Sequence, residues 1–389
     1  MANNLKKTTA LGLIAACAFV GSAQAGGWNR GEADTDILFE DGTVAARGGV
    51  TFVMPQRGYD TINGVAATDD DFTQNYAIPS FAAKVKVTDN FACAFTYTQP
   101  FGADADYGPQ AQAAGASSHK DFITNEYGAT CAVNMDAGAG KAYLLGGVFM
   151  QDFDYTAVSE ILNTGANGTL SLEDTSAYGY RLGAAYAIPE YAMRFQLMYR
   201  SKIDHTTNKG SFDWTELNPA LGLSDARGSG TLPQSIKLSA QSGVAPGWLV
   251  YGSIKWTDWS VMDALEYSID VPIGVPVLGG SVLDRRDVYN WKDGWTIQAG
   301  VGHSFNEKIS GTVNLTWDKG VDSGADIYTD TWTLGAGVSA KLGPGELRAG
   351  GGVSYLTAGS QSVGDEALYN ATADADWAYA LTASYKISF

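Results

Sequence analysis

The sequence predicts an all-β fold, a transmembrane antiparallel β-barrel of about fourteen strands, on three observations. Segments of alternating polarity recur along the chain, their connections alternate between short and long, and nothing beyond the N-terminus approaches the ~20 consecutive apolar residues of a spanning helix. The composition agrees, with 47 glycines and 20 tyrosines against 11 prolines in 389 residues. A mean hydropathy of -0.10 is what results when a lipid face and a polar lumenal face alternate along each strand.

Taken in order, the period-two segments are Thr43–Met54, Pro79–Val87, Phe91–Gln99, Thr124–Val133, Lys141–Gln151, Ser176–Ala187 and Tyr191–Ser201. Seven more follow: Gln234–Gly243, Gly247–Asp258, Gly294–Phe305, Lys308–Trp317, Thr331–Leu342, Glu346–Leu356 and Asp376–Phe389. Short connections such as Thr88-Asp89-Asn90, Ile188-Pro189-Glu190 and Gly343-Pro344-Gly345 fall on one side. Long ones such as Pro55–Ile78, Lys202–Pro233 and Trp259–Asp293 fall on the other. That sorting belongs to outer-membrane barrels, with periplasmic turns and extracellular loops. Ten residues at ~3.4 Å each, tilted by ~40°, climb roughly 25 Å, the height of the apolar band. The last strand puts Tyr379, Leu381, Ala383, Tyr385, Ile387 and Phe389 on one face. Its terminal aromatic resembles the signal read by the barrel-assembly machinery.

Lys6-Lys7, the apolar run Ala10 to Val20 and Ala23-Gln24-Ala25 form a secretory signal, which sets maturation at Gly26. Ile14-Ala15-Ala16-Cys17 resembles a lipidation box, but Ala18, Phe19 and Val20 carry the apolar core through that cysteine. The net charge is -17, and losing Lys6 and Lys7 takes it to -19, which excludes counterion-release binding to nucleic acid. The mature chain keeps Cys93 and Cys131 on consecutive strands. Pairing Thr98 with Glu126 sets them opposite one another, as a cross-strand disulfide or as two apolar thiols.

With the more apolar parity facing lipid, the lumenal face carries small residues at Gly300, Gly302, Gly335, Gly337, Gly350 and Gly352. Lys141–Gln151 is apolar on both parities, so Leu144, Val148 and Met150 are candidates for a greasy pocket wall. Arg181, Arg200, Lys237, Lys255 and Arg348 fall on the lumenal parity. They either pair with lumenal acids such as Glu126 or meet a substrate carboxylate. His119, His205 and His303 have neither metal-ligand spacing nor a nucleophile partner, so no cofactor, metal or catalytic role is expected, and His205 reads as a loop residue. Asp69-Asp70-Asp71 and Asp104/Asp106 are solvated loop acids, or hold cations that bridge lipopolysaccharide.

Several stretches, in order, resemble the long-chain fatty acid outer-membrane transporter (FadL) family, OmpP-type channels for hydrophobic compounds. They are Phe95-Thr96-Tyr97-Thr98-Gln99-Pro100-Phe101-Gly102-Ala103-Asp104, Gly179-Tyr180-Arg181-Leu182-Gly183, Met198-Tyr199-Arg200-Ser201, Thr231-Leu232-Pro233-Gln234 and Lys255-Trp256-Thr257-Asp258-Trp259-Ser260. The resemblance spans roughly Gly48–Phe389 and implies fourteen strands and passive uptake of long-chain fatty acids or other hydrophobic molecules. Loop capture, a lumenal pocket including Phe101, and lateral exit at a third-strand kink are implied with it. The gate is then formed by Tyr97, Gln99 and Pro100, since proline breaks the ladder. The family's hatch of some forty residues with an Asn-Pro-Ala motif is missing, and Asn218-Pro219-Ala220 lies in a long loop. The domains expected are a cleaved signal over 1–25, a short lumenal plug over 26–42 and the barrel over 43–389. A general porin for hydrophilic solutes, a surface adhesin or receptor and a lipid-modifying enzyme are the rival readings.

Overall fold

A computed structural model describes residues 26–68, 71–321 and 327–389; the signal, Cys17, Asp69 and Asp70 lie outside them. Fourteen alternating segments become barrel strands among the described residues. They are β1 (Val44–Gln56), β2 (Tyr76–Thr88), β3 (Phe91–Thr98), β4 (Glu126–Ala137), β5 (Gly140–Glu160), β6 (Asn167–Ile188) and β7 (Met193–Arg200). The second half is β8 (Ser235–Ala245), β9 (Trp248–Thr257), β10 (Gly294–Ser304), β11 (Ile309–Asp318), β12 (Thr331–Leu342), β13 (Gly345–Leu356) and β14 (Asp376–Ser388). Each pairs antiparallel with its chain neighbours, and β1 pairs with both β2 and β14, so the sheet closes and has no edge. Closure satisfies the spanning ladders without water, except for the Tyr76–Pro79 interval of β2, which has no partner on β3.

The pleat sorts residues as the sequence predicts. Phe52, Phe81, Phe95, Leu182, Leu197, Leu238, Ile254, Val301, Leu334 and Leu381 are exposed on the outer wall. Thr96, Thr130, Gln196, Thr312, Thr333 and Ser354 are buried within. Cys93 and Cys131 oppose each other across β3 and β4, in the register that pairs Thr98 with Glu126, and are joined as a disulfide with a Cα–Cα distance of 4.0 Å.

Three pocket candidates face the other way. Leu144 and Val148 are 62% and 65% exposed on the outer wall. Met150 shares their parity, whereas Leu145, Phe149 and Gln151 point inward. Both faces of β5 are apolar because the inner one has its own partner. Leu145 packs with Ile37 and Leu38 of the 3₁₀ turn Thr35–Phe39, together with Ala45, Ala82, Ala94, Ala132 and Ala185.

The long connections are not irregular. The β5–β6 hairpin continues to Glu160 and Asn167, with a register shift between Asp174 and Ala177. Short strands Ile203–Thr206, Lys209–Asp213, Leu223–Leu232, Ala264–Asp270 and Val282–Val288 extend the wall above β6 to β10. They enclose an apolar cluster containing Leu172, Leu232, Trp259, Met262, Leu265 and Trp291. His205, expected in a loop, sits in one of these strands and is 3% exposed.

Candidate functional site: an aromatic chamber above paired charges

Residues 26–42 run down the inside of the barrel, held by ion pairs to strands around its circumference. Glu32 accepts from Lys237 (β8) at 2.6 Å and Lys255 (β9) at 2.9 Å. Asp34 pairs with Arg47 (β1) at 2.6 Å, Asp36 with Arg194 (β7) at 2.9 Å, and Glu40 with Lys386 (β14) at 2.8 Å. The Ile37–Leu38 cluster seats the lower end in an apolar ring. Acids on the segment and bases on the wall therefore neutralise each other in a space where lone charges are costly.

The upper end meets the wall where the ladder fails. The β2–β3 pairing begins at Ser80 and Thr98, leaving Tyr76–Pro79 of β2 without partners on β3. The chain passes through Gln99, Pro100 and Phe101 before resuming as the strand Gly102–Asp106. Into this interval the N-terminal segment donates Arg30 N–H to Pro100 O and Gly31 N–H to Gln99 O, both at 2.8 Å, and accepts Gly102 N–H on Trp28 O at 3.0 Å. Only glycine fits at position 31, where a Cβ would lie 2.3 Å from Thr98 Oγ1 and 3.0 Å from Ile78. On the outer side, Tyr97 Oη and Gln99 Nε2 both donate to Asn125 Oδ1, at 2.9 and 3.2 Å. Tyr97, Gln99 and Pro100 are thus brought together at one break. Asn125, fixed by Asp152, is the edge residue that the sequence did not mark.

Just inside the break lies a charged layer. Glu126, on β4, takes Arg181 of β6 on one oxygen and Arg200 of β7 on the other at 2.8 Å. Arg200 also reaches Gln151 Oε1 at 2.5 Å and Pro233 O at 3.2 Å. Both guanidiniums lie 4.6 Å from the Phe149 ring, and Arg200 lies 5.1 Å from Phe101. Arg181, Arg200, Lys237 and Lys255 do converge on one space, with Phe101 in its lining. Each has a protein carboxylate already, so the pairing alternative describes this structure. A second, larger space, lined by Thr51, Ser80, Gln298, Thr316 and Ser384, flanks the segment.

Above the layer, Trp28 is the floor of an aromatic chamber. Its ring lies 4.7 Å from Phe122, 4.8 Å from Tyr289 and 4.7 Å from Trp291, and Phe101 stacks edge-on to Trp259 at 5.5 Å. Two small hollows open on Trp28. One is bounded by Phe72, Tyr107, Phe122, Tyr289 and Tyr328 with Asp104 and Asp121. The other is bounded by Phe153, Leu232, Met262 and Leu265 with His205. Burial and the neighbouring Asp121 raise the Asp104 carboxyl above its ordinary value. Burial lowers His205, against the opposing hydrogen bond to Asp174 at 2.9 Å. The apolar volume missing from Leu144, Val148 and Met150 is supplied by these loop aromatics, which no strand periodicity could reveal.

Comparison with known proteins places this architecture. The family model described as outer membrane protein transport protein (OMPP1/FadL/TodX) matches residues 35–311. No curated protein matches the chain in sequence. Among solved structures, a Pseudomonas aeruginosa FadL homologue is 15% identical with a TM-score of 0.69, over 96% of this chain and 100% of that one. The toluene transporter TodX of P. putida is 13% identical with a TM-score of 0.61, over 91% and 92% of the two chains. The toluene transporter TbuX of Ralstonia pickettii is 12% identical with a TM-score of 0.59, over 90% of each chain.

Proposed function

Because the chain belongs to the outer membrane transport protein (OMPP1/FadL/TodX) family of hydrophobic-compound channels, we propose that it admits small neutral hydrophobic molecules, arene-sized, by passive lateral entry into the outer membrane. The observation that carries this reading is the extended segment Trp28–Gly31, which both floors the aromatic chamber and fills the break at Gln99–Gly102. A molecule held against Trp28 is one displacement of that segment from the gap between β2 and β3. Residues 26–42 act as the plug and perform no chemistry. Toluene transport by the structural relatives TodX and TbuX supports the substrate size.

Cation pairing argues against a carboxylate as the preferred cargo. A fatty acid headgroup would have to displace Glu32 from Lys237 and Lys255, or Glu126 from Arg200. Burying alkyl chain at ~0.8 kcal/mol per methylene could drive that displacement, so long-chain fatty acids remain the second reading. The discriminating measurement is uptake of radiolabelled toluene and oleate by cells lacking their own transporters, beside conductance of the purified barrel in planar bilayers. Toluene uptake well above oleate uptake, with little steady conductance, is expected. Open-pore conductance with uptake of neither would leave a general porin.

Capture begins, on this reading, at the loop between Ala264–Asp270 and Val282–Val288, whose tip leaves Ile273 90% and Val277 101% exposed. Such apolar exposure has no folding benefit. Replacing both by serine is expected to lower toluene uptake about five- to thirtyfold at limiting concentration and little at saturation, since about one to two kcal/mol of apolar contact is removed. An equal loss at both concentrations would place the effect elsewhere. The exposed terminal Phe389 is proposed as the contact for the barrel-assembly machinery, and the loop acids as a lipopolysaccharide contact.

A further inference from the structure

We infer that removal of the signal peptide builds an ion pair inside the barrel, in which the new α-ammonium group of Gly26 seats on the carboxylate of Asp318. Asp318 ends β11 and is 2% exposed. Its Oδ2 accepts a hydrogen bond from Thr296, while Oδ1 has no hydrogen-bond partner among the described residues. An orphaned buried carboxylate oxygen is costly. What it faces is Gly26, where a Cβ would lie 2.8 Å from Oδ1 and 3.5 Å from the carbonyl oxygen of Lys319. Covalent geometry puts the nitrogen of the same residue about 2.5 Å from that Cβ position, hence no more than about 5.3 Å from the oxygen.

The backbone is held there from both sides. Asn29 donates its side-chain amide to Gly26 O at 2.8 Å. A Cβ on Gly27 would meet Trp259 at 2.8 Å and Trp291 at 2.9 Å. Both glycines have a φ of +64°, so the pair threads a slot that side chains would close. Lys255, the nearest other cation acting on Asp318, is committed to Glu32. Asp330, on the far side, accepts from Trp317 and the Gly320 amide.

In the precursor the Gly26 nitrogen is a neutral amide. Hydrolysis of the Ala25–Gly26 bond adds one water, leaving a carboxylate on the released Ala25 and an ammonium on Gly26. Maturation thus supplies the missing counter-charge and anchors the segment two residues before Trp28. The inference rests on cleavage at Gly26, which the Ala23-Gln24-Ala25 pattern sets, and does not depend on the cargo.

The test is amine acylation of the full-length exported barrel, purified in detergent. N-hydroxysuccinimide acetate is applied at neutral pH, and Gly26 modification is quantified by mass spectrometry in folded and urea-unfolded protein. At least tenfold protection in the folded state is expected, lost in Asp318→Asn that still shows heat-modifiable mobility. A second variant, with one serine inserted before Gly26, moves the amine about 3.8 Å along the chain and leaves Asp318 intact; it too should lose protection. Equal protection in wild type and either variant would overturn the ion pair. A mature N-terminus elsewhere than Gly26 would also overturn it, while leaving toluene uptake, measured separately, to decide the transport reading.

Discussion

Glu126→Ala is expected to lose about 3–5 kcal/mol of barrel stability, the cost of removing one member of a buried charge cluster. The magnitude follows from what remains. Glu126 has 1% side-chain exposure, and its two oxygens are divided between Arg181, at 5%, and Arg200, at 15%. Without the carboxylate, Arg181 keeps the Phe149 ring and one weak hydrogen bond, to Thr130 at 3.5 Å, while Arg200 retains Gln151 and two backbone carbonyls. The destabilisation therefore falls mainly on Arg181. Combining Glu126→Leu with Arg181→Met should recover most of the loss, because a matched apolar replacement removes the unpaired charge as well as the attraction. Urea unfolding in lipid vesicles, followed by heat-modifiable mobility, measures both variants. A loss under 1 kcal/mol for Glu126→Ala would mean that water in the lumenal space screens the cluster.

The barrel was legible because its physics is periodic. Lipid on one side and lumen on the other force alternation at every spanning residue, and one side of the membrane needs short turns, so all fourteen strands could be read. The C-terminal end of β5 and the N-terminal end of β6 were harder, since the two strands run to Glu160 and from Asn167. From Gln151 to Glu160 the wall leaves the bilayer and is covered by its own loops, so Phe153, Tyr155 and Ala157 answer to local packing instead. The same limit explains the misplaced pocket. Alternation cannot say which of two apolar faces is inside when the inner one, Leu145 and Phe149, supports an N-terminal segment and a guanidinium stack. Arg181, Arg200, Lys237 and Lys255 were correctly assigned to the lumen, and Glu126 to the acids that pair with them, but the acid that holds the two lysines was not marked. Glu32 is separated from Lys237 by 205 residues, and no local pattern marks such a pair. Trp28 lies within the expected plug, yet its neighbours Phe122, Tyr289 and Trp291 come from two separate connections, between β3 and β4 and between β9 and β10.

A disulfide between positions 29 and 101 is expected to cut toluene uptake by at least tenfold, and reduction should restore it. Asn29 and Phe101 form an antiparallel bridge, and opposed Cα atoms in such a pair lie about 4.5–5.5 Å apart, inside the range a disulfide spans. Asn29→Cys with Phe101→Cys would therefore lock the Trp28–Gly31 segment onto the interval after β3 without distorting either. Lateral entry needs that segment to leave, because Gly31 sits against Ile78 and Thr98, the two sides of the gap. The hydrogen bonds at stake are few: three backbone bonds join Trp28–Gly31 to Gln99–Gly102, each worth about 0.5–1.5 kcal/mol net. Displacement by a bound molecule is thus within reach of hydrophobic burial, whereas breaking a covalent bond is not. Comparing oxidised and reduced forms of the same variant cancels the loss of the Phe101 ring. The native Cys93–Cys131 bond requires a parallel measurement on wild type with and without reductant. Uptake that stays unchanged on oxidation would mean that the segment need not move, and would sink lateral entry at this break while leaving the aromatic chamber as a binding site.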